Sequence, residues 1–154
     1  AKRYFYINTP YLIIDNEMIT ALTGAAKSGI DVRLVTPGIG DRKIVHAMTR
    51  SYYEVLIEGG VKVYEYAPGF VHTKSFLVDD KYGVVGTINL DYRSLYLHYE
   101  CAAWMYDTPA VQDMRRCFDL ELTHCRRITR KDCLSQSWWA RLHSRLLRVF
   151  APLF

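Results

Sequence analysis

Residues 72 to 89 read HTKSFLVDDKYGVVGTIN: a histidine and a lysine two apart, an aspartate five residues on, and then Gly86-Thr87-x-Asn89. Side chains two apart on a strand share a face, so His72 and Lys74 point the same way, as do Thr87 and Asn89 on the neighbouring strand end. An imidazole, an ammonium, a hydroxyl and a carboxamide directed at one place are phosphate-binding groups. A neutral imidazole can attack phosphorus, while Lys74, Thr87 and Asn89 hold the phosphate and stabilise the charge that builds on its oxygens. That chemistry needs no metal and no cofactor. Asp79 lies seven residues from His72 and so on the opposite strand face, which makes it, with Gly86, a structural member of the pattern. By the same parity Glu100 shares a face with His98 and is the candidate to hold one imidazole nitrogen and fix its tautomer. His98, His46 and His143 carry no further mark and read as surface or packing residues.

The elements that must position these groups follow from periodicity. Arg3–Ile7 reads as a strand, Asn16 or Glu17 to Lys27 as a helix stopped at Gly29, and Asp31–Thr36 as a second strand closed by Pro37-Gly38. The same grammar repeats. Asp41 reads as the N-cap of a helix through Val45, Met48, Tyr52, Val55 and Leu56, followed by Gly59-Gly60 and a strand over Val61–Tyr66. Strands over Val71–Val78 and Gly83–Val85 are joined by an Asp79-Asp80-Lys81 turn, and another strand runs from about Tyr99 to Tyr106. Pro109 opens a long helix through Val111, Met114, Phe118, Leu122 and Cys125. The fold class expected is α/β, with a mixed, mainly parallel sheet covered by helices on both faces and a C-terminal amphipathic helix.

The 154 residues, half of them hydrophobic, suffice for one core. The expected division is a catalytic half-domain over residues 1–128 and a basic tail over 129–154. The first residues read as strand, with no leader pattern, and no stretch approaches the roughly 20 apolar residues of a membrane span. The four cysteines lack CxxC spacing and fit reduced thiols; His124 and Cys125, adjacent on a helix, would face apart, so no metal is expected. Of the net charge of +4, +6 lies beyond Cys125, which leaves the first 125 residues at −2. Basic charge of that kind speaks of partners, and an acidic body argues against nucleic acid. In the tail, Trp138, Leu142, Leu146, Val149, Phe150 and Leu153 fall near one helical stripe, with Trp139, Arg141, Arg145 and Arg148 alongside. Such a helix suits an anionic membrane surface, or else packs on protein.

The 72–89 pattern is the phospholipase D signature, and the chain resembles the C-terminal half of bacterial cardiolipin synthases throughout. The likeness rests on FYINTPYLI, AAKSGIDVRLVTPG, SYYEVLIEGGVKVYEYAPGFVHTK and GTINLDYRSLYLHYE. The resemblance implies two such halves about a pseudo-two-fold axis, each supplying one motif to a shared site, or two copies pairing symmetrically. It implies double displacement through phosphohistidine. A phosphatidyl group moves from phosphatidylglycerol to a second phosphatidylglycerol, with His72 as one of two catalytic histidines, Lys74 and Asn89 as phosphate ligands and Glu100 as the orienting carboxylate. It further implies a place at the cytoplasmic side of the cell membrane and an isolated half that is inactive. Alternatives are phosphatidylserine synthase, a hydrolytic phospholipase D, a nuclease of the superfamily, or a non-catalytic lipid-binding module.

Overall fold

The computed structural model of the chain describes residues 1–135, 139 and 146–153. Its frame is a seven-stranded mixed sheet ordered β8-β6-β5-β1-β3-β4-β9. The strands are β1 (Tyr4–Asn8), β3 (Asp31–Pro37), β4 (Lys62–Tyr66), β5 (Ser75–Val78), β6 (Tyr82–Gly86), β8 (Ala102–Tyr106) and β9 (Cys125–Ile128). Within this sheet parallel pairing is confined to β1-β3-β4 at the centre, where helices make the crossovers. The flanking pairs are antiparallel, and among them only β5 and β6 are joined by a tight turn. In the β5–β6 turn Lys81 N donates to Val78 O at 3.0 Å, with Asp79 at φ 55° and Asp80 at φ 60°. Aspartate tolerates that left-handed conformation better than most residues.

Alternation along β1 sorts the core onto two faces. Ile7, Val32, Leu34 and Val63 bury against α1 (Asn16–Lys27), α2 (Lys43–Ser51) and α3 (Tyr53–Glu58). Tyr4, Tyr6, Val35 and Leu77 face α4 (Pro109–Leu122), whose Phe118 ring stacks 4.7 Å from that of Tyr6. The helices on both faces and the mixed sheet are those that the residue pattern called for. A short second sheet pairs β2 (Leu12–Ile13) with β7 (Leu90–Asp91) in parallel.

Several boundaries differ from the periodic reading. The helix expected from Asp41 to Leu56 breaks at Tyr52, where consecutive Tyr52 and Tyr53 are both buried, which one unbroken helix face does not accommodate. Asp41 does not cap α2; its carboxylate accepts from Tyr11 Oη at 2.6 Å. The long helix ends at Leu122, and Cys125 opens β9, an edge strand hidden in a basic run. The strand expected from Tyr99 begins only at Ala102. A helix α5 (Arg130–Leu134) follows with a reciprocal cap between Thr129 and Asp132.

Of the predicted C-terminal stripe, Trp138, Arg141, Leu142 and Arg145 lie outside the described residues. Trp139 is exposed. Arg148–Leu153 forms a 3₁₀ helix, Pro152 having no N–H to continue an α-helical ladder. It docks on the domain: Ala151 is buried, and the Arg148 guanidinium, expected beside lipid, lies 4.1 Å from the centre of the Tyr52 ring.

Candidate active site

Parallel β1, β3 and β4 end together, and the antiparallel β5 starts where β1 stops, with Asn8 opposite Ser75. Val85, near the end of β6, lies opposite Ser75 as well. His72, Lys74, Thr87 and Asn89 therefore collect at the carboxyl end of the parallel strands, the usual place for a ligand in such sheets.

His72 and Lys74 precede the β5 ladder rather than lying within it, although Gly86 N still donates to Lys74 O at 3.2 Å. The His72 ring is exposed, 5.3 Å from the Phe70 ring and 6.5 Å edge-on to Tyr11. Among the described residues its imidazole makes no hydrogen bond. Lys74 Nζ donates to His72 O at 2.9 Å. Desolvation lowers the ammonium pKa, opposed by the nearby carboxylates of Glu100 and Asp91.

Thr87 Oγ1 donates to Glu100 Oε2 and accepts from Cys101 N at 3.0 Å. The expected Glu100–His72 pairing is thus replaced by Glu100–Thr87. Strand parity does not apply to Glu100, because the segment before Ala102 is irregular. Hydrogen bonds from Thr87 and then Ser94, with help from the charges of His98 and Lys74, hold the Glu100 carboxyl below its ordinary range. Asp79 is turned to a different task. Its carboxylate accepts from Lys2 N, Arg3 N and Tyr4 N at 2.6, 2.8 and 2.9 Å and ties the hairpin to the start of β1. Gly86 has no room for a side chain, since a Cβ would stand 2.3 Å from Cys101 O.

Asn89 leads into β7, and its buried Oδ1 has no hydrogen-bond partner among the described residues. It opens onto a cleft of about 380 Å³ that Tyr11, Arg42, Asp91, Arg93 and His98 also line. Thr9 fixes this wall, its Oγ1 donating to Tyr11 O at 2.7 Å and accepting from Leu90 N at 3.0 Å. After Asp91 the chain makes one π turn, Arg93–Leu97, closed by His98 N donating to Arg93 O at 2.8 Å. Such turns recur at functional sites. Tyr11, Arg42 and Arg93 were not among the expected site residues, and His98 was read as surface. The DYRS run after Asn89 was a signal for Arg93; Arg42 had none, being 47 residues away.

The sheet, the two helical layers and this cluster at the strand ends define a phospholipase D-type α/β domain. Over residues 1–121 the sequence matches the family described as "Cardiolipin synthase, PLD-like domain". A cardiolipin synthase of Halalkalibacterium halodurans is 39% identical over 153 residues, 99% of this chain and 30% of that protein. A Streptococcus mutans protein without an assigned activity is 47% identical over 153 residues, 99% of this chain and 33% of its own length. Among solved structures, Nuc from Salmonella typhimurium, a phospholipase D family member, superposes with TM-score 0.71 at 18% identity, covering 84% of each chain. Phosphatidylserine synthase from Haemophilus influenzae gives 0.74 at 17% identity, covering 99% of this chain and 40% of that one. The chain belongs to the cardiolipin synthase family of phospholipase D-like domains, and it spans about a third of the length of the curated relatives it matches.

Proposed function

We propose that this chain is one half-site of a phosphatidyltransferase that makes cardiolipin from two molecules of phosphatidylglycerol. The observation that carries this reading is the grouping at the strand ends: an exposed imidazole and a buried Asn89 Oδ1, both without a hydrogen bond among the described residues, and the Lys74 ammonium on the His72 carbonyl. The second motif comes from an N-terminal half of the same protein or from a second copy across a symmetric interface. One histidine attacks the donor phosphorus, forming a phosphorus–nitrogen bond as the bond to the glycerol oxygen breaks. The other histidine gives its proton to that oxygen. The hydroxyl of the second phosphatidylglycerol then returns a proton to the second histidine as its oxygen bonds to phosphorus and the phosphorus–nitrogen bond breaks. His72 occupies one of these two places. Lys74 and Asn89 donate to the non-bridging oxygens, where charge grows in each transition state. Glu100, held by Thr87, adds negative charge that opposes the desolvation of the Lys74 ammonium.

A phospholipid substrate calls for work at a membrane surface, and the cytoplasmic side is the place proposed for it. No helix among the described residues is long and apolar enough to cross one. A nucleic-acid backbone as substrate is disfavoured by the acidic balance of the first 125 residues.

The test uses the whole protein that carries this chain, given phosphatidylglycerol vesicles, with the lipid products weighed by mass spectrometry. His72→Ala abolishes cardiolipin formation, and Lys74→Ala and Asn89→Ala each lower kcat roughly 10²- to 10³-fold without changing Tm. Wild-type rates in His72→Ala would remove His72 from the mechanism.

A further inference from the structure

Phosphatidyl transfer to phosphatidylglycerol involves two phosphates, one on the group transferred and one on the alcohol that receives it. His72, Lys74 and Asn89 account for the first. The cleft beyond Asn89 holds more cationic donors than one phosphate requires. Arg42 and Arg93 both line it and both are exposed. Among the described residues neither has a carboxylate within ion-pair distance, whereas Arg33, Arg50, Arg115 and Arg126 are each held by one. The cleft's own carboxylate, Asp91, accepts from Ser94 N at 2.7 Å and bears on Lys74.

We infer that this cleft is a second anion subsite, which binds the phosphate of the acceptor alcohol while the transferred phosphate sits on His72 and Lys74. The inference rests on the phosphatidyl-transfer reading and specifies its acceptor: an alcohol that itself bears a phosphate. Guanidinium suits the task, because its planar fork meets a phosphate through two parallel hydrogen bonds. The two arginines are placed by separate devices. Asp41, next to Arg42, is tied to the Tyr11 hydroxyl at 2.6 Å, and Arg93 begins the π turn that brings His98 back beside it. Tyr11 adjoins both subsites: its ring stands 6.5 Å from that of His72, and it lines the cleft. Asn89 lies on the boundary, in the motif by sequence and in the cleft by position. A phosphate held by Arg42 and Arg93 would therefore keep its own alcohol arm close to the phosphohistidine.

The test compares wild-type whole protein with Arg42→Gln, Arg93→Gln and the double variant, using phosphatidylglycerol as donor and varied acceptors. Glycerol 3-phosphate is the soluble phosphate-bearing alcohol, isotopically labelled glycerol the neutral one, its label marking the newly formed phosphatidylglycerol against the donor, and phosphatidylglycerol the lipid. Each single variant raises KM for glycerol 3-phosphate and for acceptor phosphatidylglycerol about tenfold, as expected for one charge-assisted contact. Rates with glycerol stay at the wild-type level, which also reports an intact fold and intact donor chemistry. Equal loss with glycerol and glycerol 3-phosphate would assign the arginines to the donor and overturn the subsite. No change with either would overturn it too. A wild-type enzyme that transferred to no alcohol would instead overturn the proposed function, and the subsite with it.

Discussion

Glu121 stands on α4 facing the sheet, largely out of water, with Asn8 Nδ2 donating to its Oε2 at 2.7 Å. Burial raises its pKa, and the Asn8 hydrogen bond offsets only part of that. Asn8 itself is buried, and its Oδ1 lacks a partner among the described residues. For a carboxyl whose folded pKa exceeds its unfolded one, stability is complete below the ordinary glutamate range and is lost as pH rises through the folded value. Glu121→Gln cannot ionise yet still offers Asn8 an acceptor. Its Tm is expected to match wild type near pH 4 and to exceed it increasingly toward pH 8, a comparison for scanning calorimetry. Superimposable curves would show that Glu121 is not penalised by burial. The residues of the 72–89 pattern were legible at this scale because spacing alone distinguishes them. The partner of Glu100 was not, because a hydrogen bond to Thr87 depends on where β8 starts.

At the scale of elements, the join between β6 and β8 positions Thr87 and Glu100. Gly86 pairs with Ala102, and a Cβ on Gly86 would meet Cys101 O at 2.3 Å and Ala102 Cα at 2.6 Å. Backbone cannot yield as a flexible side chain does. Gly86→Ala is therefore expected to part the strands where Thr87 and Glu100 meet, costing about 1–3 kcal/mol of stability. Urea unfolding measures the first effect, and kcat at a temperature where the variant remains folded measures the second. A variant of wild-type stability would mean that the strands close differently. Periodicity located the β5–β6 hairpin and the two β-α-β units, because burial on one face imposes period 2 or 3.6 on the residues themselves. It did not locate β9, whose Arg126 and Arg127 are exposed at a sheet edge and carry no apolar alternation.

For the whole molecule, the question is what the basic C-terminus meets. Its end packs on the domain through Ala151 and Arg148, which leaves Trp139, Leu146 and Val149 exposed. Truncation after Ser135 is expected to lower Tm, by uncovering Tyr52 and its neighbours, and to weaken binding to vesicles of anionic lipid, more so at low salt than at high. Sedimentation with vesicles at two ionic strengths separates the effects. Unchanged binding would assign the tail to packing alone.

By itself the sequence determined the class of fold and the residues from which the chemistry is proposed. Histidine, lysine and asparagine two apart in short runs, following two β-α-β units, are properties of neighbouring residues, and local sterics and burial suffice to express them. Tertiary structure alone decided what stands around that motif. The cleft joins Tyr11, Arg42 and the Asn89–His98 segment, three stretches that meet only because β2 pairs with β7 and α2 closes over that pair. Contacts between distant segments leave no period in the chain, since they depend on the packing of whole elements and not on the order of residues within any one.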